Sequence, residues 1–123
     1  MKTIRMKRAD WQKWDEALRS GRYVQGTGQL RKVDPLGQVR HCCLGVLEAV
    51  LDGKVEAQAL PSPYWLKSHG IEFKGWSMLD SLMEWHVAPY LPAFGCDAVE
   101  ANDQFVPFTT IADAIAEAVE FID

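Results

Sequence analysis

An almost unbroken apolar run extends from His41 to Asp52, with the sequence His-Cys-Cys-Leu-Gly-Val-Leu-Glu-Ala-Val-Leu-Asp. A helix on the protein surface needs a wide polar face, and before Asp52 this run offers only Glu48. The pattern therefore predicts a buried central helix over residues 43–51. Its small residues Cys42, Gly45 and Ala49 form one strip, which we expect to contact the alanine-rich last helix.

Helical spacing recurs near both ends of the chain. A first helix is predicted to follow an Asp10 cap and to end before Gly21, and a last helix to follow a cap at Thr109 or Thr110. Shorter helices are predicted over 62–70, with Ser62 as cap, over 77–86 and over 96–102. The expected buried stripes are Trp11, Trp14, Ala17 and Leu18 in the first helix and Ile111, Ile115, Ala118, Val119 and Ile122 in the last.

Extended segments with turn residues separate these helices. Residues 29–33 and 38–41 flank the turn Asp34-Pro35-Leu36-Gly37 and predict a β-hairpin, and residues 71–73 predict another short strand. Residues 88–95 contain two prolines and a glycine, which favour a loop. The predicted fold is α+β. A single domain spanning residues 1–123 would pack a short antiparallel sheet of two or three strands with four or five helices around the central helix.

Charge is distributed unevenly along the chain, although the net charge is only −4. All 13 basic residues lie at or before Lys74 together with 8 acidic ones, whereas residues 75–123 contain 9 acidic residues and no basic one. Either the two halves interleave and neutralise each other, or they form opposed charged faces that suit docking on a partner. The candidate binding residues are the acidic Asp113, Glu117, Glu120 and Asp123 and the basic Arg22, Arg31, Lys32 and Arg40.

A cysteine nucleophile is one candidate for catalysis. Cys42 and Cys43 lie at a helix N-terminus beside His41, where the helix dipole favours a thiolate, and Asp103 could orient a base. Against this, Cys43 belongs to the apolar helix face, where burial raises the pKa of a thiol. We predict structural thiols and no catalytic residue, and Asn102-Asp103 are expected to cap backbone groups at a helix end.

Metal, cofactor and membrane binding are not predicted. Adjacent cysteines suit a tetrahedral metal ion poorly, and the Gly26-Thr27-Gly28 loop is not followed by the residues of a phosphate-binding loop. Three cysteines leave one unpaired, and no apolar run approaches the roughly 18 residues of a membrane span. We expect reduced thiols and a location in the bacterial cytoplasm.

Three motifs together carry a family resemblance. His41-Cys42-Cys43-Leu44-Gly45-Val46-Leu47, the later Asn102-Asp103 pair and the segment Phe108-Thr109-Thr110-Ile111-Ala112-Asp113-Ala114-Ile115 resemble a group of small uncharacterised proteins of bacteriophages and prophages. The resemblance implies an accessory product of a mobile element that binds and blocks a host machine, such as a restriction or CRISPR complex.

The predicted function is therefore that of a non-catalytic binding protein, an inhibitor of a bacterial defence complex such as an anti-CRISPR protein. Its partner would be a host protein or a protein–nucleic-acid complex, and the acidic C-terminal half is slightly favoured as the binding surface. Two alternatives stay open. One is a cysteine-dependent hydrolase that uses Cys42 or Cys43 with a histidine, and the other is a nucleic-acid-binding protein that uses the basic N-terminal half.

Overall fold

The computed structural model describes residues 2–75 and 86–123. In this part of the chain the helices are α1 (Arg8–Arg19), α2 (Cys43–Asp52), α3 (Pro63–Ser68), α4 (Ala98–Asp103) and α5 (Phe108–Ala118). The strands are β1 (Ile4–Met6), β2 (Arg31–Val33), β3 (Val39–His41), β4 (Glu72–Phe73), β5 (Tyr90–Leu91), β6 (Cys96–Asp97) and β7 (Val119–Phe121). The helix predicted over 77–86 lies outside the described residues except for His86.

The α2 helix occupies the centre of the molecule, as predicted. Cys43, Leu44, Val46 and Leu47 are completely buried, and α2 packs mainly against α1 and α4. The buried Trp14 of α1 donates a 2.9 Å hydrogen bond from Nε1 to the carbonyl oxygen of Cys43. This bond satisfies the indole N–H in the core and fixes α1 against the start of α2.

The small-residue strip on α2 has a different neighbour from the one predicted. A methyl group at Gly45 would collide with the carbonyl oxygen of Leu30, so the missing side chain admits the backbone that leads into β2. The α5 helix packs chiefly against α1 and α4. At Gly45 the expected contact between this strip and the last helix is therefore wrong, because the connection before β2 occupies that space.

A three-stranded sheet joins the two ends of the chain. Strand β1 is central, antiparallel to β4 with Ile4 opposite Phe73, and parallel to β7 with Ile4 opposite Val119. The sequence analysis missed β1 and assigned residues 119–122 to the last helix, which is wrong. The helix ends at Ala118, and the next three residues form β7 because β1 offers a partner strand there.

Two further antiparallel pairs complete the described sheets, and the α+β class is confirmed. The predicted hairpin forms between β2 and β3, and its turn is closed by the Asp34 carboxylate, which accepts from the N–H groups of Leu36 and Gln38 at 2.9 Å. Strand β5 lies inside the segment predicted as a loop, and it pairs in antiparallel fashion with β6, which directly follows that segment.

Of the three helix N-caps predicted from the sequence, two are wrong and one is confirmed. The α1 helix begins at Arg8, which places Asp10 in its first turn, and α5 begins at Phe108 after Pro107, ahead of Thr109. Ser62 caps α3 as predicted, because its hydroxyl accepts from the N–H of Tyr64 at 3.2 Å. Among the described residues, no helix is long and apolar enough to cross a membrane.

Candidate functional site

The two adjacent thiols at the start of α2 are sealed in the core. Cys43 is completely buried and its Sγ lies 3.6 Å from the carbonyl oxygen of Ala98, while the Sγ of Cys42 accepts from the N–H of Gly45 at 3.4 Å. Burial raises the pKa of the Cys42 thiol and raises that of Cys43 well above its usual value. Both groups therefore stay protonated near neutral pH, and neither is poised as a nucleophile.

His41 and Asp103, the other members of the hydrolase alternative, have different partners. The His41 ring meets the ring of Tyr23 edge-on at 5.2 Å between centroids, and burial, together with Arg31, lowers the pKa of His41. Asp103 accepts a 3.2 Å hydrogen bond from the N–H of Gly28. Within the described residues neither side chain hydrogen-bonds to a cysteine thiol, so the geometry does not assemble a nucleophile and base.

Asn102 is a buried polar link between three segments of the chain. Its Oδ1 accepts from the N–H of Cys43 at 3.1 Å and from Nε2 of Gln25 at 3.2 Å, and its Nδ2 donates to the carbonyl oxygen of Gly26 at 2.7 Å. The side chain thus caps the first turn of α2 from α4 and holds the loop that precedes β2. Together with the bond from Gly28 to Asp103, these contacts show that the Asn102-Asp103 pair does bond to backbone groups, but in distant segments and not at the neighbouring helix end that the sequence predicted.

Three of the four predicted acidic binding residues contact the basic N-terminal half of the same chain. The contacts are Asp113 with Arg19 Nη1 at 2.8 Å, Glu120 with Arg5 Nε at 3.5 Å, and Asp123 with the backbone N–H of Arg8 at 2.9 Å. Glu117 is exposed, and its carbonyl oxygen accepts from Lys2 Nζ at 3.0 Å. At these positions the two halves interleave, which reduces the field that the acidic residues present to a partner.

The four predicted basic binding residues differ in how far the chain neutralises them. Arg40 is held 2.9 Å from the Asp34 carboxylate and donates to the carbonyl oxygen of Gln25, and Arg22 lies 3.8 Å from Glu16. Arg31 and Lys32 form no ion pair within the described residues. Of the four basic candidates, the two without an ion pair in the described part of the chain are therefore the neighbouring residues of β2.

The hairpin carries apolar side chains on one exposed face. Val33 and Val39 are cross-strand neighbours with exposed fractions of 55% and 37%, and Leu36 at the turn is 94% exposed. Because side chains alternate along a strand, Arg31 shares the face of the two valines. We call Arg31, Val33, Leu36 and Val39 the hairpin face.

The β3 edge of the hairpin is joined to the body of the protein, because the N–H of His41 donates to the carbonyl oxygen of Val24 and the N–H of Gly26 donates to the carbonyl oxygen of His41. A methyl group at Gly26 would lie 2.7 Å from Cβ of Arg40 and 3.5 Å from Cε of Lys32. The loop before β2 therefore approaches β3 closely at Arg40. The hairpin is anchored along its β3 edge, while the apolar side chains of the hairpin face stay exposed.

Glu48 is a buried acidic residue that the sequence analysis did not single out as a site. It is 6% exposed, and its Oε2 has no hydrogen-bond partner within the described residues. Burial raises the pKa of Glu48 to about 7, with smaller contributions from Asp52 and Glu56 that nearby His69 partly offsets. The sequence did contain an indication of this site, because Glu48 interrupts an apolar run and Asp52 follows it one helical turn later.

Asp52 connects the last turn of α2 to α3. Its carboxylate accepts from Trp65 Nε1 and lies 3.1 Å from His69 Nε2, and the Trp65 and His69 rings stack at 4.2 Å. Among the described residues, no three His, Cys, Asp or Glu side chains are arranged to hold a metal ion. The contacts of Asp52 therefore form a structural junction between α2 and α3. Within the described residues, the unpaired carboxylate oxygen beside this junction is Oε2 of Glu48.

The chain belongs to a protein family defined by a domain of unknown function. Residues 6–81 match this family, DUF8296, and the match begins at the last residue of β1 and spans α1, the hairpin, α2, α3 and β4. The matched region includes the two cysteines and ends before Asn102-Asp103 and α5. No curated protein matches the chain. No solved structure matches it either.

Proposed function

We propose that this protein is an accessory product of a phage or another mobile element that binds and blocks a bacterial defence complex. The origin and the class of target rest on the resemblance of the Cys-Cys, Asn-Asp and Ile-Ala-Asp motifs to phage and prophage proteins. Action by binding, without a covalent step, is supported by the burial and raised pKa values of Cys42 and Cys43.

The exposed hairpin face is the observation that carries the binding proposal. Three exposed apolar side chains lie on a β-hairpin whose β3 edge is joined to the body of the protein. An apolar surface next to polar residues is the usual composition of a protein-binding site. The acidic residues, slightly favoured from the sequence, are less suitable because Asp113, Glu120 and Asp123 are engaged within the chain.

A phage plating assay tests the proposal. The protein is expressed in hosts that carry one defined restriction or CRISPR system, and the plating efficiency of a targeted phage is measured. We expect efficiency to rise towards that of a host without the system, and to fall again when the defence complex is overproduced, because a stoichiometric inhibitor is titrated. Protection against none of the systems would contradict the proposed role.

Cysteine variants separate this proposal from the hydrolase alternative. Cys42→Ala and Cys43→Ala remove the thiols and make only a small change in core volume. Protection should persist in each variant whose fold is retained, as judged by circular dichroism. Loss of protection in a folded variant would instead support covalent chemistry.

A further inference from the structure

We propose that the hairpin face is a docking surface for a protein whose apolar contact patch is bordered by carboxylates. The biological role of this partner rests on the proposed function, whereas the surface itself follows from burial, register and charge. The proposal names the part of the molecule that makes contact and the chemistry of the surface that receives it.

The apolar side chains of this face contribute little to the fold. Val33 and Leu36 are more than half exposed, and Val39 is 37% exposed, whereas the aliphatic side chains of the core are almost completely buried. Two β-branched residues lie directly opposite each other, and Leu36 adds a further exposed apolar side chain at the turn. Such a surface becomes favourable when a partner removes it from water.

The outer edge of β2 is also open for pairing. The N–H of Cys42 donates to Leu30 and that of Asp34 donates to Gln38, so the alternating antiparallel pattern directs the backbone groups of Arg31 and Val33 away from β3. Within the described residues no strand pairs with this edge. A partner can therefore combine main-chain hydrogen bonds with the apolar contact.

Charge favours a different, acidic protein over a second copy of this chain. Arg31 and Lys32 have no ion pair within the described residues. Two β2 edges placed side by side would bring these like charges together, which opposes self-pairing. A partner that pairs along the β2 edge can place carboxylates near Arg31 on the hairpin face and near Lys32 on the other side of the strand.

Nucleic acid fits this surface less well. Phosphate recognition uses several unpaired basic groups, whereas Arg40 is neutralised by Asp34, and Lys32 projects to the side opposite the hairpin face. The centre of the face is aliphatic, and the whole chain has a net charge of −4. An apolar centre with arginine nearby is typical of contacts between proteins.

Site-specific photo-cross-linking in the defended host tests the contact directly. A photoreactive amino acid replaces Leu36 in one protein and the exposed Tyr64 of α3 in a matched control. We expect a discrete adduct with one bacterial protein from position 36 and none from position 64. The adduct should weaken severalfold when Arg31→Glu and Lys32→Glu are added, and the cross-linked peptide should map to an apolar surface bordered by Asp or Glu.

Other results of this experiment would overturn the inference. These are an adduct with nucleic acid, an adduct with a second copy of the chain, an adduct insensitive to charge reversal, or no adduct at position 36. A second measurement needs no partner. The triple variant Val33→Thr, Leu36→Ser and Val39→Thr should unfold at the same urea concentration as the wild type, and a clearly lower midpoint would assign these side chains to the fold.

The two proposals fail in distinguishable ways. If the triple variant stays folded and still protects phage, the docking surface is wrong while the inhibitor role stands. If the adduct forms at position 36 but the wild type protects against no defence system, the docking surface stands and the inhibitor role is wrong.

Discussion

Replacing Glu48 with glutamine tests whether ionisation of this buried carboxyl near the α2–α3 junction destabilises the folded protein. The pKa of Glu48 is raised from 4.5 to about 7, first by burial and then by Asp52 and Glu56. Between these two values the folded protein keeps a proton that the unfolded chain has released. Stability conferred by the protonated carboxyl is therefore lost as pH rises from about 4.5 and is gone above about pH 7.

The size of this effect follows from the pKa difference. A carboxyl that titrates near 7 when folded and near 4.5 when unfolded lowers the free energy of unfolding by about 3 kcal/mol between acidic and slightly alkaline pH. Glutamine carries no charge across this range. The buried amide of glutamine would still lack one hydrogen-bond partner, and the free-energy cost of that missing bond does not change with pH. A pH-dependent difference between the variant and the wild type therefore reports the charge of Glu48.

Urea unfolding from about pH 4.5 to about pH 8, followed by tryptophan fluorescence, measures the difference in stability between Glu48→Gln and wild type. We expect the variant to gain about 3 kcal/mol relative to wild type across this interval. Glu117→Gln is the matched control, since it makes the same chemical change on an exposed helix position. A stability difference for Glu48→Gln that is constant with pH would refute the assignment of a buried, titrating carboxyl.

Three further predictions address the motif residues and the end of α4. Iodoacetamide at neutral pH should leave Cys42 and Cys43 unmodified in the folded protein and modify both in urea, because both thiols are buried. Asn102→Ala should cost about 3 kcal/mol in urea unfolding, since it strands buried backbone groups of α2 and of the loop before β2. Phe105→Gly should gain about 1 kcal/mol and raise the melting temperature, because Phe105 follows α4 with a φ of 61°, where glycine is favoured.

Each of these predictions has a contrary outcome. Rapid labelling of Cys42 or Cys43 in the folded protein would reopen the hydrolase alternative. An Asn102→Ala variant as stable as wild type would show that the buried network is not needed for stability. A destabilised Phe105→Gly variant would mean that the exposed aromatic ring makes favourable contacts that outweigh the strain of its backbone.

Local patterns were sufficient for the elements whose determinants are close in sequence. The apolar run before Asp52 predicted α2, the turn after Asp34 predicted the hairpin, and Ser62 followed by proline predicted the start of α3. In each case the residues whose pattern indicates the element lie within it or next to it. The α+β class could be inferred because these elements already combine both kinds of structure.

The chain ends were harder to predict because their structure depends on distant pairing. Ile115, Val119 and Ile122 continue the helical spacing of α5, so periodicity alone does not mark the end of the helix at Ala118. Strand β1 has only three residues and gains its partners from β4 and β7, far away in the sequence. A short strand stabilised by such neighbours leaves a weak local pattern.

The candidate binding surface was only partly predictable for the same reason. Sequence alone selected Arg31 and Lys32 among four basic candidates, but it did not show that Asp34 neutralises Arg40. The pairing of Asp113 with Arg19 likewise depends on the packing of α1 against α5. The hairpin was predicted correctly, whereas the exposure of its valines and Leu36 depends on how the hairpin is joined to the body.

The central claim is that the protein acts by binding a bacterial partner through the hairpin face. The most direct measurement is quantitative co-purification from the defended host with three proteins in parallel: the wild type, the Val33→Thr, Leu36→Ser, Val39→Thr variant, and an Asp113→Asn, Glu117→Gln variant. The account predicts that one component of the defence complex co-purifies at equal amounts with the wild type and the acidic-residue variant and is lost from the hairpin variant. Retention by a folded hairpin variant, with loss from the acidic-residue variant, would contradict it.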